Sequence, residues 1–174
     1  MGWYSVSTTV QDISELLMWH QRARDISIDI DDSIQEGRKL NFDLRALQVV
    51  LYNVLQNALK FSKKGRISIG VKERRIVSQR DCVLIEVIVH DRGIGIYEHE
   101  MSQVFNLLWR SKSVANLKLN PDGQGIGLYI SKQLCQSLGG DVDLMSVYNQ
   151  GCYVTITMRA YPNVSVAQEM TLSS

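Results

Sequence analysis

With 174 residues, 45% of them hydrophobic and 21% charged, and only two prolines, the chain has the composition of one compact domain and excludes a disordered polymer or a disulfide-stapled miniprotein. A formal net charge of +1 supplies no global field for nucleic acid or an anionic membrane, so the clusters at Lys63, Lys64 and Arg66 and at Lys72, Arg74 and Arg75 read as solvated faces and no nucleic-acid partner is expected. Three cysteines without paired spacing, Cys82, Cys135 and Cys152, read as buried free thiols in a reducing compartment, and no Cys/His cluster has zinc-ligand spacing.

Residues 3–7 form a short strand candidate. Thr8 or Thr9 then caps a helix with Val10, Ile13, Leu16, Leu17 and His20 on one face. Residues 26–30 alternate strictly between isoleucine and a polar residue, the pattern of a strand with one buried face, and residues 31–38 make a polar turn around Gly37. From 43 to 61 the pattern is helical. Leu44, Leu47, Leu51, Val54, Leu55, Ala58 and Leu59 form its apolar stripe, while Asn53, Asn57 and Lys60 fall at i, i+4 and i+7 on another. Asparagine prefers caps and turns to helix interiors, so this second stripe is either a solvated face or the wall of a polar pocket.

Two strands are predicted next, over 66–74 and 82–90, with a turn around 78–81; the second is apolar on both faces and belongs in the centre of a sheet. Residues 98–104 make a short helix. Residues 106–122 lack periodicity and end in Asn120-Pro121-Asp122-Gly123, a loop of functional length placed where a lid would attach. A helix follows over 125–138, with Ile126, Ile130, Leu134 and Leu138 on one face, ended by Gly139-Gly140. Residues 141–147 and 152–159 make a final hairpin around Asn149-Gln150-Gly151. The domain is therefore expected to span 1–161, with 162–174 as a mobile tail.

Two glycine clusters carry the chemistry. Gly123-Gln124-Gly125-Ile126-Gly127-Leu128 runs straight into a helix, where free backbone N–H groups and a close-approaching chain can hold an anion; alone, such a run also makes ordinary turns. Asp91-Arg92-Gly93-Ile94-Gly95 follows the central strand. An ATP site on these elements would take an acceptor for the adenine amino group from Asp91, close passage of the chain at Gly93 and Gly95, and a magnesium ligand that adds no negative charge from Asn57. Lys60 would neutralise phosphate, and the amides around 125–128 would hold the phosphate chain. Each residue alone has a plain structural reading; the ordered set favours one nucleotide pocket. There is no G-x-x-x-x-G-K-[ST], no third glycine of the dinucleotide fingerprint and no His-Arg-Asp or Asp-Phe-Gly set.

These residues resemble the ATP-binding catalytic domain of sensor histidine kinases, in the superfamily that also holds gyrase, heat-shock chaperone ATPases and mismatch-repair ATPases. The run from Asn53 through Asn57 and Lys60 to Ser62 is similar to the N box, Asp91 to Gly95 to the G1 box, Val104-Phe105 through Trp109-Arg110 to the F box, and Gly123 to Leu128 to the G2 box. The resemblance implies an α+β fold, a two-layer Bergerat sandwich with a mixed sheet of about five main strands against three helices and an ATP lid. It implies Asn57 as the Mg2+ ligand, Asp91 as the adenine-reading carboxylate, Lys60 and Arg110 as phosphate contacts, Phe61 near the base, Ile96 and Phe105 at the pocket, and Asn53 among the catalytic residues. Hydrolytic branches carry glutamate where Asn53 stands. An amide cannot take a proton from water, so the resemblance implies that ATP is kept for transfer to a histidine.

The F box departs from the family at Leu107 and Leu108, and Arg92 stands where a small or polar residue is usual. None of His20, His90 and His99 has the acidic residue, arginine and proline that follow an acceptor histidine. The implied partners are therefore a separate dimerisation domain carrying the phosphoacceptor histidine, and downstream a response-regulator receiver domain. The isolated chain is expected to be monomeric and unable to autophosphorylate alone, within a homodimeric kinase. No apolar run reaches ~18 residues and no secretory signal opens the chain, so the expected location is cytoplasmic, including as the cytoplasmic part of a membrane-bound sensor. The rival readings are a regulatory nucleotide-binding module of the same fold without transferase activity, and an ATPase of the superfamily.

Overall fold

A computed structural model of the chain describes residues 1–20, 25–62, 64–76, 79–111 and 123–163, with the backbone alone at 20, 79 and 80. Its strands are β1 (Gly2–Tyr4), β2 (Ile26–Asp32), β3 (Leu40–Phe42), β4 (Gly65–Ile76), β5 (Gln79–Asp91), β6 (Asp141–Val147) and β7 (Gly151–Pro162). Its helices are α1 (Val6–His20), α2 (Leu44–Phe61) and α3 (Gly127–Ser137), with a short 3-10 helix at Glu98–Gln103. The strands form one sheet in the order β1-β3-β7-β5-β4-β2, and β6 also pairs with β7. Only the β2–β4 pairing is parallel among the described residues, so the sheet is mixed. Five strands have seven residues or more, as expected, and the two three-residue strands β1 and β3 extend the edge beyond them.

α2 forms as its sequence predicts. Asp43 caps it by accepting the N–H of Ala46 at 2.9 Å, and its apolar stripe, with the exception of Leu44 at the first turn, is buried. It packs on β5 and β7, with α1 and α3 on its flanks. Beneath it Val83, Ile85, Val87 and Val89 are buried on one face of β5, while Leu84, Glu86 and Ile88 are half-buried on the other. The core is therefore one layer between helices and sheet.

Several boundaries differ from the sequence expectation. α1 begins at Val6, because Ser5 rather than Thr8 or Thr9 accepts the capping bond, from the N–H of Thr8 at 3.2 Å; Leu16 lies off the buried face. The His20 side chain, residues 77–78 of the predicted turn and the tail beyond 163 lie outside the described residues. β2 keeps Ile26 buried but exposes Ile30, because among the described residues it is an edge strand paired with β4 alone. The predicted α3 stripe is the largest departure. Ile130 is 43% exposed, and the helix instead buries Ser131 and Cys135, with Leu128, Leu134 and Leu138 packing beside them. Gly127, Ser131 and Cys135 lie four apart, and these small residues let α3 approach α2 closely. There the Asn53 amide donates to the Gly127 carbonyl and the Ser131 hydroxyl, each at 3.3 Å.

Candidate nucleotide site

A cavity of about 370 Å³ opens between α2, the start of α3 and the ends of the central strands. α2 contributes Asn53, Asn57, Lys60 and Phe61 to one wall, a spacing that follows from the 3.6-residue turn. Asp91 and Cys152, paired across β5 and β7, and Val89 and Val154, two pairs further along, form the floor. Gly95 and Ile96 close one side, Trp109, Arg110 and Ser111 another, and all six residues from Gly123 to Leu128 line the mouth of α3.

Asp91 ends β5 instead of following it, and it is 5% exposed. Burial pushes its carboxyl up to about 6, against the opposing pull of the backbone N–H groups of Gly93, at 2.8 Å, and of Cys152. A carboxylate so placed is held in one orientation and has little water around it. Cys152 stays a neutral thiol: burial first, and then the charge of Asp91, push it up to about 12. Its sulfur lies 3.2 Å from the Ser146 hydroxyl. Ser146 also accepts the Ile96 N–H at 2.9 Å and donates to the Gly151 carbonyl at 2.8 Å, which ties the loop after Asp91 to the β6–β7 hairpin. Gly95 makes that docking possible, because a Cβ there would run into the Val147 carbonyl.

The opposite end is polar and cationic. Asn57 and Lys60 make no side-chain hydrogen bond or ion pair among the described residues. α3 starts at Ile126-Gly127 without a side-chain cap, leaving its first amides for a ligand. The unpartnered Asn57 amide beside an uncapped helix start fits a magnesium–phosphate group, since its oxygen is a hard neutral ligand. Gly125, at φ +69, sits where a Cβ would strike the Trp109 carbonyl, so this glycine brings the 106–111 segment against the start of α3.

Two expected residues stand behind the wall instead of on it. Gly93 is absent from the lining: its N–H holds Asp91, and a Cβ there would lie 2.6 Å from the Phe61 carbonyl, so it serves the turn and not the cavity. Phe105 packs against the core with the Lys132 ammonium 4.8 Å from its ring centroid. Residues 112–122, most of the expected lid, lie outside the described residues. Conversely, Trp109, Ser111, Leu144 and Cys152 line the cavity although nothing in the sequence reading singled out a contact for them. The pairing of Cys152 with Asp91 was latent in the closing hairpin, since a strand beside β5 must place one residue against that carboxylate.

Comparison with known proteins gives the family and the fold. Residues 42–162 match the histidine kinase-, DNA gyrase B- and HSP90-like ATPase family. The signal transduction histidine-protein kinase BarA of Escherichia coli is 28% identical over 167 residues, 94% of this chain and 18% of its own length. The aerobic respiration control sensor protein ArcB of the same species is 27% identical, covering 91% of this chain and 19% of that protein. Hybrid signal transduction histidine kinase B of Dictyostelium discoideum is 34% identical over 80% of this chain, 7% of its own length. The chain thus spans less than a fifth of each of these relatives. In fold it is similar to full-length ShkA in complex with AMPPNP (TM-score 0.74, 20% identity, 94% of this chain and 32% of that one). It is also similar to the mycobacterial sensor histidine kinase MprB (TM-score 0.67, 23% identity, 92% and 98%). The chain belongs to the histidine kinase-, DNA gyrase B- and HSP90-like ATPase family, as an ATP-binding catalytic domain of the two-component histidine-kinase type.

Proposed function

We propose that this chain is the phosphodonor half of a histidine kinase, transferring the γ-phosphate of ATP to a histidine on a separate dimerisation domain. The observation that carries the reading is one cavity with a buried carboxylate, Asp91, at its closed end and unpartnered Asn57, Lys60 and uncapped amides at its open end. Asp91 accepts the adenine amino group. The rest of the closed end is apolar, through Val89, Val154 and Phe61, and sandwiches the base. Lys60, Arg110 and the amides of 125–128 hold the phosphates in line for the acceptor. Asn57 supplies the protein oxygen for Mg2+, which when bound shields the phosphate charge and stabilises the developing charge on the leaving ADP.

Transfer breaks the bond between the γ-phosphorus and the β–γ bridging oxygen and forms one to a ring nitrogen of the acceptor histidine, which loses its proton to solvent. This chemistry rests on positioning and charge neutralisation. Asn53 supports transfer over hydrolysis. Its amide nitrogen already donates to Gly127 and Ser131, and its oxygen has no capacity to take a proton from water. In the kinase so assembled, a receiver domain would take the phosphoryl group onward.

The experiment mixes this chain with a purified dimerisation domain and Mg-ATP labelled at the γ-phosphate. Label on histidine that disappears with Asn57→Ala is the expected outcome. Nucleotide binding without transfer, to a domain that an active kinase does phosphorylate, would replace this reading with a regulatory module. Steady phosphate release without acceptor would replace it with an ATPase.

A further inference from the structure

Glu100 is a buried carboxylate that the nucleotide chemistry does not use. It sits in the 3-10 helix Glu98–Gln103, is 7% exposed, and was not singled out by any motif. Burying a carboxylate is costly unless strong donors meet it. Here the Ser111 hydroxyl donates to it, 3.0 Å from one carboxylate oxygen and 2.9 Å from the other. Ser111 is eleven residues further along and lines the cavity next to Arg110 and Trp109.

The segment 104–111 is thus clamped at three places. At its start Phe105 packs on the core under the Lys132 ammonium, and Lys132 is itself bonded to Asp141 and to the Val142 carbonyl at 2.9 Å. In its middle the backbone takes a left-handed turn at Leu108, φ +61, and passes against Gly125. At its end Ser111 is drawn to Glu100. A non-glycine residue at positive φ persists only where its surroundings over-determine it. The two flanking clamps supply that constraint, and they aim Trp109 and Arg110 at the cavity.

We propose that Glu100 is a positioning residue for the phosphate end of the site. It acts through Ser111 to hold Arg110 where the β- and γ-phosphates lie, and leaves adenine recognition to Asp91. This rests on the nucleotide-site reading above and adds to it a residue on the far side of the wall.

The test measures affinities of the 174-residue chain for Mg-ATP and for AMP, in wild type, Glu100→Ala, Glu100→Gln, Ser111→Ala and the Glu100→Ala/Ser111→Ala double variant. Losing a hydrogen bond to a charged group predicts that Glu100→Ala weakens Mg-ATP roughly tenfold or more while AMP affinity stays within about twofold. Glu100→Gln, which still accepts from Ser111, recovers most of the loss. The double variant is no weaker than Glu100→Ala alone, because the two residues act as one clamp. A general loss of stability would weaken both nucleotides together, so an unchanged ATP-to-AMP ratio in Glu100→Ala overturns the proposal, as do additive effects in the double variant. If Glu100→Ala does not fold, the Ser111→Ala ratio decides in the same way. A wild-type chain that binds no Mg-ATP refutes the nucleotide-site reading itself, and with it this role for Glu100; a wild type that binds while the ratios stay flat refutes Glu100 alone.

Discussion

Asp91→Asn separates the electrostatic cost of the site from its use. The folded carboxyl titrates near 6, from an ordinary value of 3.8, because burial outweighs its two backbone donors. A raised carboxyl pKa means that the folded state binds the proton more tightly than the unfolded chain. Wild-type stability therefore falls as pH rises from about 3.8 through about 6, by a total of about 3 kcal/mol at 1.36 kcal/mol per pH unit. Asparagine does not titrate, so the stability of Asp91→Asn relative to wild type should rise with pH across that window. About 2 kcal/mol of the rise falls between pH ~4.5 and ~7.5. Urea unfolding of both proteins at those two pH values measures it, and every other titrating group cancels in the difference. The variant should also lose roughly 100-fold in Mg-ATP affinity, since an amide N–H₂ then confronts the adenine amino group. In wild type, affinity should fall about tenfold per pH unit below 6 as the acceptor is protonated. A stability difference that stays flat within ~0.5 kcal/mol across the window would show that Asp91 is not held above its ordinary pKa, and the account of the closed end would fail.

Asn57→Ala should abolish magnesium-dependent nucleotide binding in calorimetry while moving the unfolding midpoint by less than ~0.5 kcal/mol, because the amide is half-exposed and unpartnered; retained binding would remove it as the metal ligand. Gly125→Ala forces a side chain into the left-handed region and against the Trp109 carbonyl. It should cost about 1–3 kcal/mol and weaken Mg-ATP with it, and a variant as stable as wild type in a thermal melt would contradict the close approach. Lys132→Met keeps the stem but removes the ion pair to Asp141, the donor to the Val142 carbonyl and the cation over Phe105, while Asp141 keeps its bonds from the Gln136 amide and the Val142 N–H. Urea midpoints should report a loss of about 1–3 kcal/mol, and an unchanged midpoint would show that this hub carries no stability.

Sequence periodicity was a sound guide wherever one amphipathic element met one apolar layer. α2 follows its stripe from Asp43 onward, and the apolar character of both faces of residues 82–90 placed β5 at the centre. It misled where contact is made by small residues. Ile126, Ile130, Leu134 and Leu138 have the stronger hydrophobic repeat, and Leu134 and Leu138 do pack on the core, yet Ile130 faces out and α3 buries Ser131 and Cys135, with the Gly127 carbonyl and the Ser131 hydroxyl meeting the Asn53 amide. Asn53 lines the cavity, as the pocket-wall reading of its stripe had it, and also ties two helices together, which neither reading of the stripe offered. Glu100 was illegible for a different reason. The Ser111 hydroxyl that donates to it lies eleven residues away across an aperiodic loop, and such a pairing leaves no spacing signature.

The two ends of the cavity are built from different material, and this divides the effects of substitution. The closed end belongs to the sheet: Asp91 and Cys152 face each other across paired strands, and the Ser146 hydroxyl binds the following loop to the hairpin. Change there disturbs buried groups and is felt first as stability. The open end is assembled from one helix wall, one uncapped helix start and the clamped segment 104–111, and its cationic groups are only part-buried. Small displacements there leave the core intact but move charges relative to a phosphorus atom, and a transfer that depends on alignment is sensitive to shifts of about 1 Å. The proposed transfer, in which ATP is held firmly while its γ-phosphate is presented to a second protein, would be served by that division: rigidity at the closed end, adjustability at the open one.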